Sequence, residues 1–218
     1  MPVACSPSTA RPSCSRASDC STTSSRCLAW PGFALIMLDR EQSLPRLQAW
    51  VAANKNNEKK MAWGPSFWNR WYLLLAGLAF GLACSIKWSG VYFLIAFGLY
   101  TVLMDMLDRR RVGIPFWFSS GILRQGPIAF ILMVPIAFVT YVVGWTGWLV
   151  TSGGYARNDI TAGSADAWTG IFSWVPLWFQ NLVHYHGLAY TFHVGLTTPH
   201  SYQANPLTWL FMIRPTSM

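Results

Sequence analysis

The sequence predicts an all-α membrane protein with about three complete transmembrane helices and a polar extracytoplasmic loop. Of its 218 residues, 53% are hydrophobic and only 11% are charged, whereas a soluble domain carries about 25% charged residues. The 13 Trp and 13 Phe residues fit the aromatic belts that line both faces of a bilayer. The net charge of +8 lies in short stretches between apolar runs, a pattern typical of membrane topology and not of a nucleic-acid-binding face.

Three apolar runs are predicted to cross the membrane, because each approaches the ~20 residues that a helical span needs. They cover residues 67–86, 88–104 and 127–150. Arg70 and the aromatic residues around it mark the start of the first run. Gly77 and Gly81 give it small positions for close helix packing. Pro135 is predicted to kink the third run.

The distribution of Lys and Arg predicts which loops face the cytoplasm. Residues 39–66 carry five of them and residues 105–126 carry four. By the positive-inside rule we expect these two loops to be cytoplasmic. The 87–90 turn and residues 151–218 are then extracytoplasmic. An in-out-in-out path places Lys87 on the same face as the C-terminal loop.

The N-terminal segment 1–27 is a low-complexity mixture of Ser, Thr, Cys, Arg and Pro. It has no hydrophobic periodicity and no apolar core of a signal peptide, so we assign it no secondary structure. Two interpretations stay open: a disordered tail, or an out-of-frame translation ahead of the genuine frame. Residues 28–38 are apolar but too short to span, and fit either the end of a membrane helix or an interfacial segment.

The C-terminal region 151–218 combines a turn-rich linker at 151–172 with an amphipathic pattern from Trp174 to Phe192. We expect the latter to be a helix lying along the membrane surface. The predicted domains are therefore the segment 1–27, a transmembrane region at 28–150 and this extracytoplasmic loop, which holds all four histidines: His184, His186, His193 and His200.

His186, Tyr190 and His193 are spaced so that they share one face of a helix. Two histidines on one face can bind a metal or a phosphate, but no H-E-x-x-H motif or neighbouring carboxylate accompanies them. The alternative is that these histidines bind no ligand and lie at the membrane interface, each with one ring nitrogen in a hydrogen bond. Lys87 and Arg214 each fit either a counter-charge for an anionic ligand or an anchor at the membrane boundary. Asp159 and Asp166 lie in the linker, where we expect them to be solvated.

Three stretches resemble a known family. They read SIKWSGVYFLIAFGLYTVL, GWTGWLVTSGGYARN and HYHGLAYTFHVGLTTPHSYQANPLTWLFMIRPTS. They are similar to the bacterial, actinobacterial-type protein O-mannosyltransferases, relatives of the dolichyl-phosphate-mannose enzymes. The resemblance runs from about residue 28 to the end of the chain.

The resemblance implies a fragment of a multi-span glycosyltransferase of the GT-C type. Such enzymes transfer mannose from a polyprenyl-phosphate-mannose donor to Ser or Thr of exported proteins, on the extracytoplasmic side of the membrane. Membrane lipid would be a further partner, and nucleic acid would not. The resemblance implies that four loop residues lie near donor or acceptor, with Lys87 at the margin. These are His186, His193, Asn205 and Arg214.

The chain departs from the family in one respect: it contains no Asp-Glu pair, the motif in which the family's catalytic acid lies. We therefore expect a central fragment that is inactive alone, and we assign no catalytic residue. No metal site is predicted from the residues, although a divalent metal ion stays open as a cofactor. The alternatives are a non-catalytic membrane fragment, another glycosyltransferase that uses a lipid-phosphate sugar, or a piece of a transporter. The charge-free runs 73–86, 91–104 and 128–139 argue against the transporter.

Overall fold

A computed structural model describes residues 13–151 and 153–196, with side chains from residue 28 onward. Those residues are mostly helical and contain no β-strand. The α-helices are α1 (Ser13–Asn54), α2 (Glu58–Trp63), α3 (Trp71–Ile86), α4 (Gly90–Arg111), α5 (Trp117–Ser120), α6 (Gly126–Gly144), α7 (Thr146–Val150) and α8 (Leu177–Gly195). A π-helical turn at Gly121–Gln125 joins α5 to α6, and a 3-10 turn spans Gly170–Phe172. The chain divides into two compact units, Met1–Trp145 and Thr146–Met218.

Helix α1 begins at Ser13, inside the segment to which the sequence assigned no secondary structure, and continues to Asn54. Its apolar stretch 28–38 packs along α3. A Cβ atom on Gly32 would lie 2.7 Å from the ring of Phe80, and Ile36 is buried in the core. Residues 28–38 are therefore the middle of a long helix.

The core of the first unit forms where α1, α3, α4 and α6 meet. Leu73 and Phe80 of α3 are fully buried, and Met133 of α6 is 2% exposed. The ring of Phe97 on α4 stacks on Phe80 at a centroid distance of 5.7 Å, and it contacts the ring of Phe33 of α1, tilted by 33°, at 4.9 Å. These aromatic contacts connect α4 to the two helices beside it.

Helix α3 approaches α6 closely through glycine. A Cβ atom on Gly77 would lie 2.4 Å from the carbonyl oxygen of Met133, and one on Gly81 would lie 2.6 Å from that of Ala137. Real side chains do not approach backbone oxygens so closely, so only glycine allows this spacing. Close packing at these small residues was expected and is confirmed.

Two helical segments among the described residues are long and apolar enough to cross a membrane: α4 and the continuous stretch Trp117–Gly144. Only 17% and 22% of the residues in their apolar stretches are buried. Most of their apolar side chains are therefore exposed, as in helices that face lipid. Helix α3 has 16 residues, and at ~1.5 Å per residue it is shorter than the ~30 Å of a bilayer core. The sequence predicted three complete spans, and two meet the length criterion.

The boundaries of the predicted spans shift for local reasons. Residues 67–70 stay outside α3, because the Arg70 side chain is held in a buried ion cluster described below. The basic loop expected at 105–126 is mostly helical, since α4 runs to Arg111 and helix resumes at Trp117. Three arginines in the last turn of α4 lie where the helix dipole favours positive charge. The third predicted span is interrupted at Trp145, between α6 and α7.

We predict that Gly77→Ala destabilises the protein by about 1–3 kcal/mol, because the added methyl group meets the backbone of α6 and cannot be accommodated by a side-chain rotation. The matched control is Gly98→Ala on α4, where the new Cβ atom would lie 3.4 Å from the flexible end of Met133. That change is expected to be neutral or stabilising by up to about 1 kcal/mol. Denaturant unfolding in detergent, followed by circular dichroism, measures both. Equal midpoints for the two variants would contradict the prediction.

Candidate functional site

The second unit contains an open cleft of about 340 Å³ between the linker and the start of α8. This volume falls at the lower end of the range of about 300–1,000 Å³ that ligand sites occupy. Two indole rings and several polar side chains line it. They include Trp148, Arg157, Asn158, Thr161, Trp178 and Asn181.

Two consecutive buried amides hold the linker against α8. The Asn181 side chain accepts a hydrogen bond from the backbone N–H of Ile160 and donates one to its carbonyl oxygen, both at 2.9 Å. The Gln180 side chain accepts from the N–H of Trp168 at 2.9 Å and donates to the carbonyl oxygen of Val175 at 2.7 Å. Both amides are 3% exposed and well satisfied, so they fix the linker.

The opposite wall of the cleft is set by a tight turn. Trp148 donates from Nε1 to the carbonyl oxygen of Tyr155 at 3.1 Å. A Cβ atom on Gly154 would lie 2.7 Å from the Trp148 ring, so the turn needs glycine there. Ala156 has a φ of 54°, a left-handed conformation that non-glycine residues rarely adopt. The guanidinium of the next residue, Arg157, donates to the carbonyl oxygen of Leu149.

The three histidines within the described residues lie on α8, and Gly187 does not interrupt that helix. In His186 and His193, Nδ1 lies 2.6 Å from the carbonyl oxygens of Leu182 and Ala189 respectively. A carbonyl can only accept, so Nδ1 carries the hydrogen in both rings. In the neutral imidazole this leaves Nε2 as the acceptor or ligating atom.

The third histidine, His184, faces the linker. Its Nε2 lies 3.5 Å from a carboxylate oxygen of Asp159, whose side chain is half exposed. Asp166 is exposed. In residues 28–151 and 153–196, no three His, Cys, Asp or Glu side chains come together to hold a metal ion.

Lys87 lies in the first unit, at the turn between α3 and α4, as the sequence predicted. The N–H of Gly90 donates to the Lys87 carbonyl oxygen at 2.8 Å, and the residue is exposed. Two further predicted site residues, Asn205 and Arg214, lie outside the described residues, as does His200. The structure therefore brings His186 and His193 onto one helix and leaves the grouping of the five predicted residues a prediction.

The structure also reveals a buried ion cluster at the end of the first unit opposite Lys87. Arg70 donates to Asp39 of α1 through Nε at 2.9 Å and Nη2 at 2.5 Å. It also donates to Asp105 of α4 at 2.5 Å through Nη1. The side chains of Arg70 and Asp39 are each 3% exposed. One guanidinium thus joins α1 and α4 at the start of α3.

Two further arginines extend this cluster. Arg40 of α1 donates to both carboxylate oxygens of Asp108 at 2.8 and 2.9 Å, and this hydrogen-bonded partner raises the pKa of Arg40 above its ordinary value. Arg109, 2% exposed, donates to Ser120 at 2.6 Å and to the side-chain oxygen of Gln125 at 3.2 Å. Gln125 in turn exchanges two hydrogen bonds of 3.1 Å with the backbone of Phe67.

Sequence reasoning missed this cluster and treated its residues as loop charges. The spacing of Asp105 and Asp108 could have indicated the cluster, because it places both side chains on one face of α4 if that helix continues past the apolar run. It also missed the cleft, because Asn181 and Gln180 look like ordinary polar residues of an amphipathic helix. Their partners are backbone atoms of the linker, which no side-chain pattern reveals.

Comparison with known proteins matches the chain to bacterial enzymes. It is 32% identical over 190 residues to the polyprenol-phosphate-mannose–protein mannosyltransferase of Mycolicibacterium smegmatis strain MKD8. It is 30% identical over 189 residues to the enzyme of that name from Mycobacterium tuberculosis strain CDC 1551, and 29% identical over 184 residues to that of Corynebacterium glutamicum. The chain is homologous to this family of mannosyltransferases. The resemblance inferred from the three sequence stretches is confirmed.

The matches to these mannosyltransferases cover 83–84% of the chain but 35% of each relative. The chain thus spans about a third of the length of the curated relatives it matches. No family model matches the chain, and no solved structure does.

We predict that Arg70→Met destabilises this mannosyltransferase homologue by about 3–5 kcal/mol, because it leaves two carboxylates without their cation in a water-poor site. Arg111→Met is the matched control. Arg111 also pairs with an aspartate, Asp108, at 3.0 Å, but its side chain is 62% exposed, so its loss is expected to cost about 0–1 kcal/mol. Denaturant unfolding of both purified variants tests this. Similar losses in the two would show that burial does not set the strength of the Arg70 cluster.

Proposed function

We propose that the chain is part of a protein O-mannosyltransferase that moves mannose from polyprenyl-phosphate-mannose to Ser or Thr of exported proteins. The observation that carries the proposal is the 29–32% identity, over 83–84% of the chain, to relatives named for that donor and for a protein acceptor. The two apolar, outward-exposed helices support a place in the membrane.

The arrangement of charge in the first unit supports a multi-pass orientation. The buried ion cluster, the basic end of α4 and Arg124 of the π-helical turn lie at one end of the helices, and the Lys87 turn lies at the other. Positive charge favours the cytoplasmic side. We therefore propose that 39–66 and 105–126 are cytoplasmic, and that 87–90 and 151–218 face outward, where exported acceptors are present.

The chemistry of the transfer defines what each group must do. The acceptor hydroxyl oxygen bonds to the anomeric carbon, the bond from that carbon to the phosphate oxygen breaks, and the lipid phosphate leaves with the electron pair. A carboxylate takes the hydroxyl proton, and fixed cations or hydrogen-bond donors stabilise the leaving phosphate. We propose that Lys87, His186, His193, Asn205 and Arg214 serve the second task or position the acceptor.

The proton acceptor is expected from another part of the whole enzyme. The carboxylates of Asp39, Asp105 and Asp108 are engaged by arginine side chains, and their end of the unit is the one proposed to be cytoplasmic. Asp159 faces His184. We therefore propose that the 218-residue chain alone does not transfer mannose.

We predict that residues 28–218, placed in the Mycolicibacterium smegmatis relative in exchange for its matching segment, give a chimera that transfers mannose from polyprenyl-phosphate-mannose to a Ser/Thr peptide. Radiolabelled donor and isolated membranes measure the transfer. The 218-residue chain in equal amounts is the control and is expected to give none. A chimera that inserts stably but modifies only a glycolipid acceptor, or nothing, would reject the proposed function. Transfer by the chain alone would reject the external proton acceptor.

In the same chimera, Lys87→Gln is expected to lower the transfer rate by at least about tenfold, because a cation that stabilises a leaving phosphate contributes about 1.5–3 kcal/mol. Lys59→Gln, on the side proposed to be cytoplasmic, is the control. An unchanged rate for Lys87→Gln would identify that residue as an interfacial anchor.

The orientation predicts a labelling pattern in intact cells. The five native cysteines are first replaced by serine, and single cysteines are then introduced as Ala165→Cys or Lys59→Cys, both exposed positions. A membrane-impermeant thiol reagent should modify the first in intact cells and the second only after permeabilisation. The reverse pattern would overturn the proposed topology.

A further inference from the structure

The cleft of the second unit has the composition of a site for a phosphorylated sugar. Its walls carry two indole rings, Trp148 and Trp178, and the amide and hydroxyl of Asn158 and Thr161. Flat aromatic surface packs against the C–H face of a hexose, while amides and hydroxyls match its hydroxyl groups. Its volume of about 340 Å³ suits one hexose with a phosphate and is too small for a polyprenyl chain.

Within residues 28–151 and 153–196, one cation of the cleft has no carboxylate as an ion-pair partner. Arg157 lines it and is half-buried, and in the described part of the chain it forms no ion pair. The nearby Asp159 does not line the cleft and faces His184 instead. A guanidinium has five N–H donors, and the carbonyl oxygen of Leu149 uses only part of this capacity. The remaining donors suit the oxygens of a phosphate.

The backbone is strained where it presents this cation. Ala156, directly before Arg157, has a φ of 54°, which costs a non-glycine residue about 1 kcal/mol or more. The turn is held in that conformation by the Trp148–Tyr155 hydrogen bond and the close approach of Gly154 to the indole. Such strain persists where surrounding contacts over-determine the backbone, and it is concentrated at binding sites.

We propose that this cleft binds the hexosyl phosphate headgroup of the lipid-linked donor, with the sugar against Trp178 and the phosphate on Arg157. The substrate class in this proposal rests on the function proposed above. The location of the site rests on the cleft itself. It assigns a donor contact to the linker, outside the histidine helix face and the Lys87 turn.

Binding of mannose 1-phosphate to the purified 218-residue chain in detergent tests the proposal by calorimetric titration. Mannose 1-phosphate is expected to bind more tightly than either methyl α-mannoside or inorganic phosphate. Arg157→Gln should weaken mannose 1-phosphate about tenfold to a hundredfold and leave methyl α-mannoside unchanged. Trp178→Leu should weaken both sugars.

The matched control for Trp178→Leu is Trp174→Leu, since Trp174 is 75% exposed and does not line the cleft. That control should bind as the parent does. Vesicles that contain polyprenyl-phosphate-mannose should compete with mannose 1-phosphate, whereas vesicles without it should not. Competition would show that the site binds the headgroup of the lipid-linked donor. If mannose 1-phosphate binds but these vesicles do not compete with it, the assignment of the site to the donor is overturned.

Three results would overturn the proposal: no saturable binding by helical, monodisperse protein, equal affinity for inorganic phosphate and mannose 1-phosphate, or Arg157→Gln binding as the parent does. If the chain does not fold alone, the chimera described above replaces it, and Arg157→Gln should raise the donor KM about tenfold or more. A chimera that transfers mannose with an unchanged donor KM would reject the cleft and keep the function. Headgroup binding without transfer would keep the cleft and reject the function.

Discussion

The register of the first unit depends on one buried guanidinium. Arg70 contacts Asp39 on α1 and Asp105 on α4, and it directly precedes α3. Apolar packing between helices in lipid gives little preference for one register, because lipid and side chains are similarly apolar. A buried ion cluster is directional, and a shift of one residue would leave a desolvated charge without its partner, at several kcal/mol. The glycine contacts between α3 and α6 then set the remaining distance.

The parts of the fold that the sequence predicted are those that depend on local pattern. The turn at Lys87, the helix that carries the histidines and the close packing at Gly77 and Gly81 follow from residues near one another in the chain. The ion cluster joins residues 31 and 35 positions apart, and the linker is held by amides 12 and 21 positions away. Such partners emerge only when the helices are packed, so the cluster and the cleft were both missed. The length of α3 was overestimated for the same reason, since hydropathy does not reveal that residues 67–70 stay outside the helix.

In the second unit, hydrogen bonds to the main chain orient several polar side chains. Main-chain carbonyls fix the tautomers of His186 and His193, and main-chain groups also fix Asn181, Trp148 and Arg157. Side chains that are oriented by second partners lose less freedom when a ligand binds. These contacts hold residues 155–168 in a defined conformation, although a composition rich in Gly, Ser, Thr and Asp is typical of a loop.

The turn after α3 lies in one of the three stretches that carried the family resemblance, and its geometry gives a steric reason for the glycine there. A Cβ atom on Gly90 would lie 2.5 Å from the backbone nitrogen of Cys84 and 2.6 Å from the carbonyl carbon of Ala83. The chain can therefore reverse direction here only with glycine at that position. Any protein that shares this helical hairpin would need the same residue, whatever sugar or acceptor it uses. The glycine of the K-W-S-G sequence thus reflects a steric requirement of the hairpin, and the identity of the substrate must be read from side chains that packing leaves free to vary.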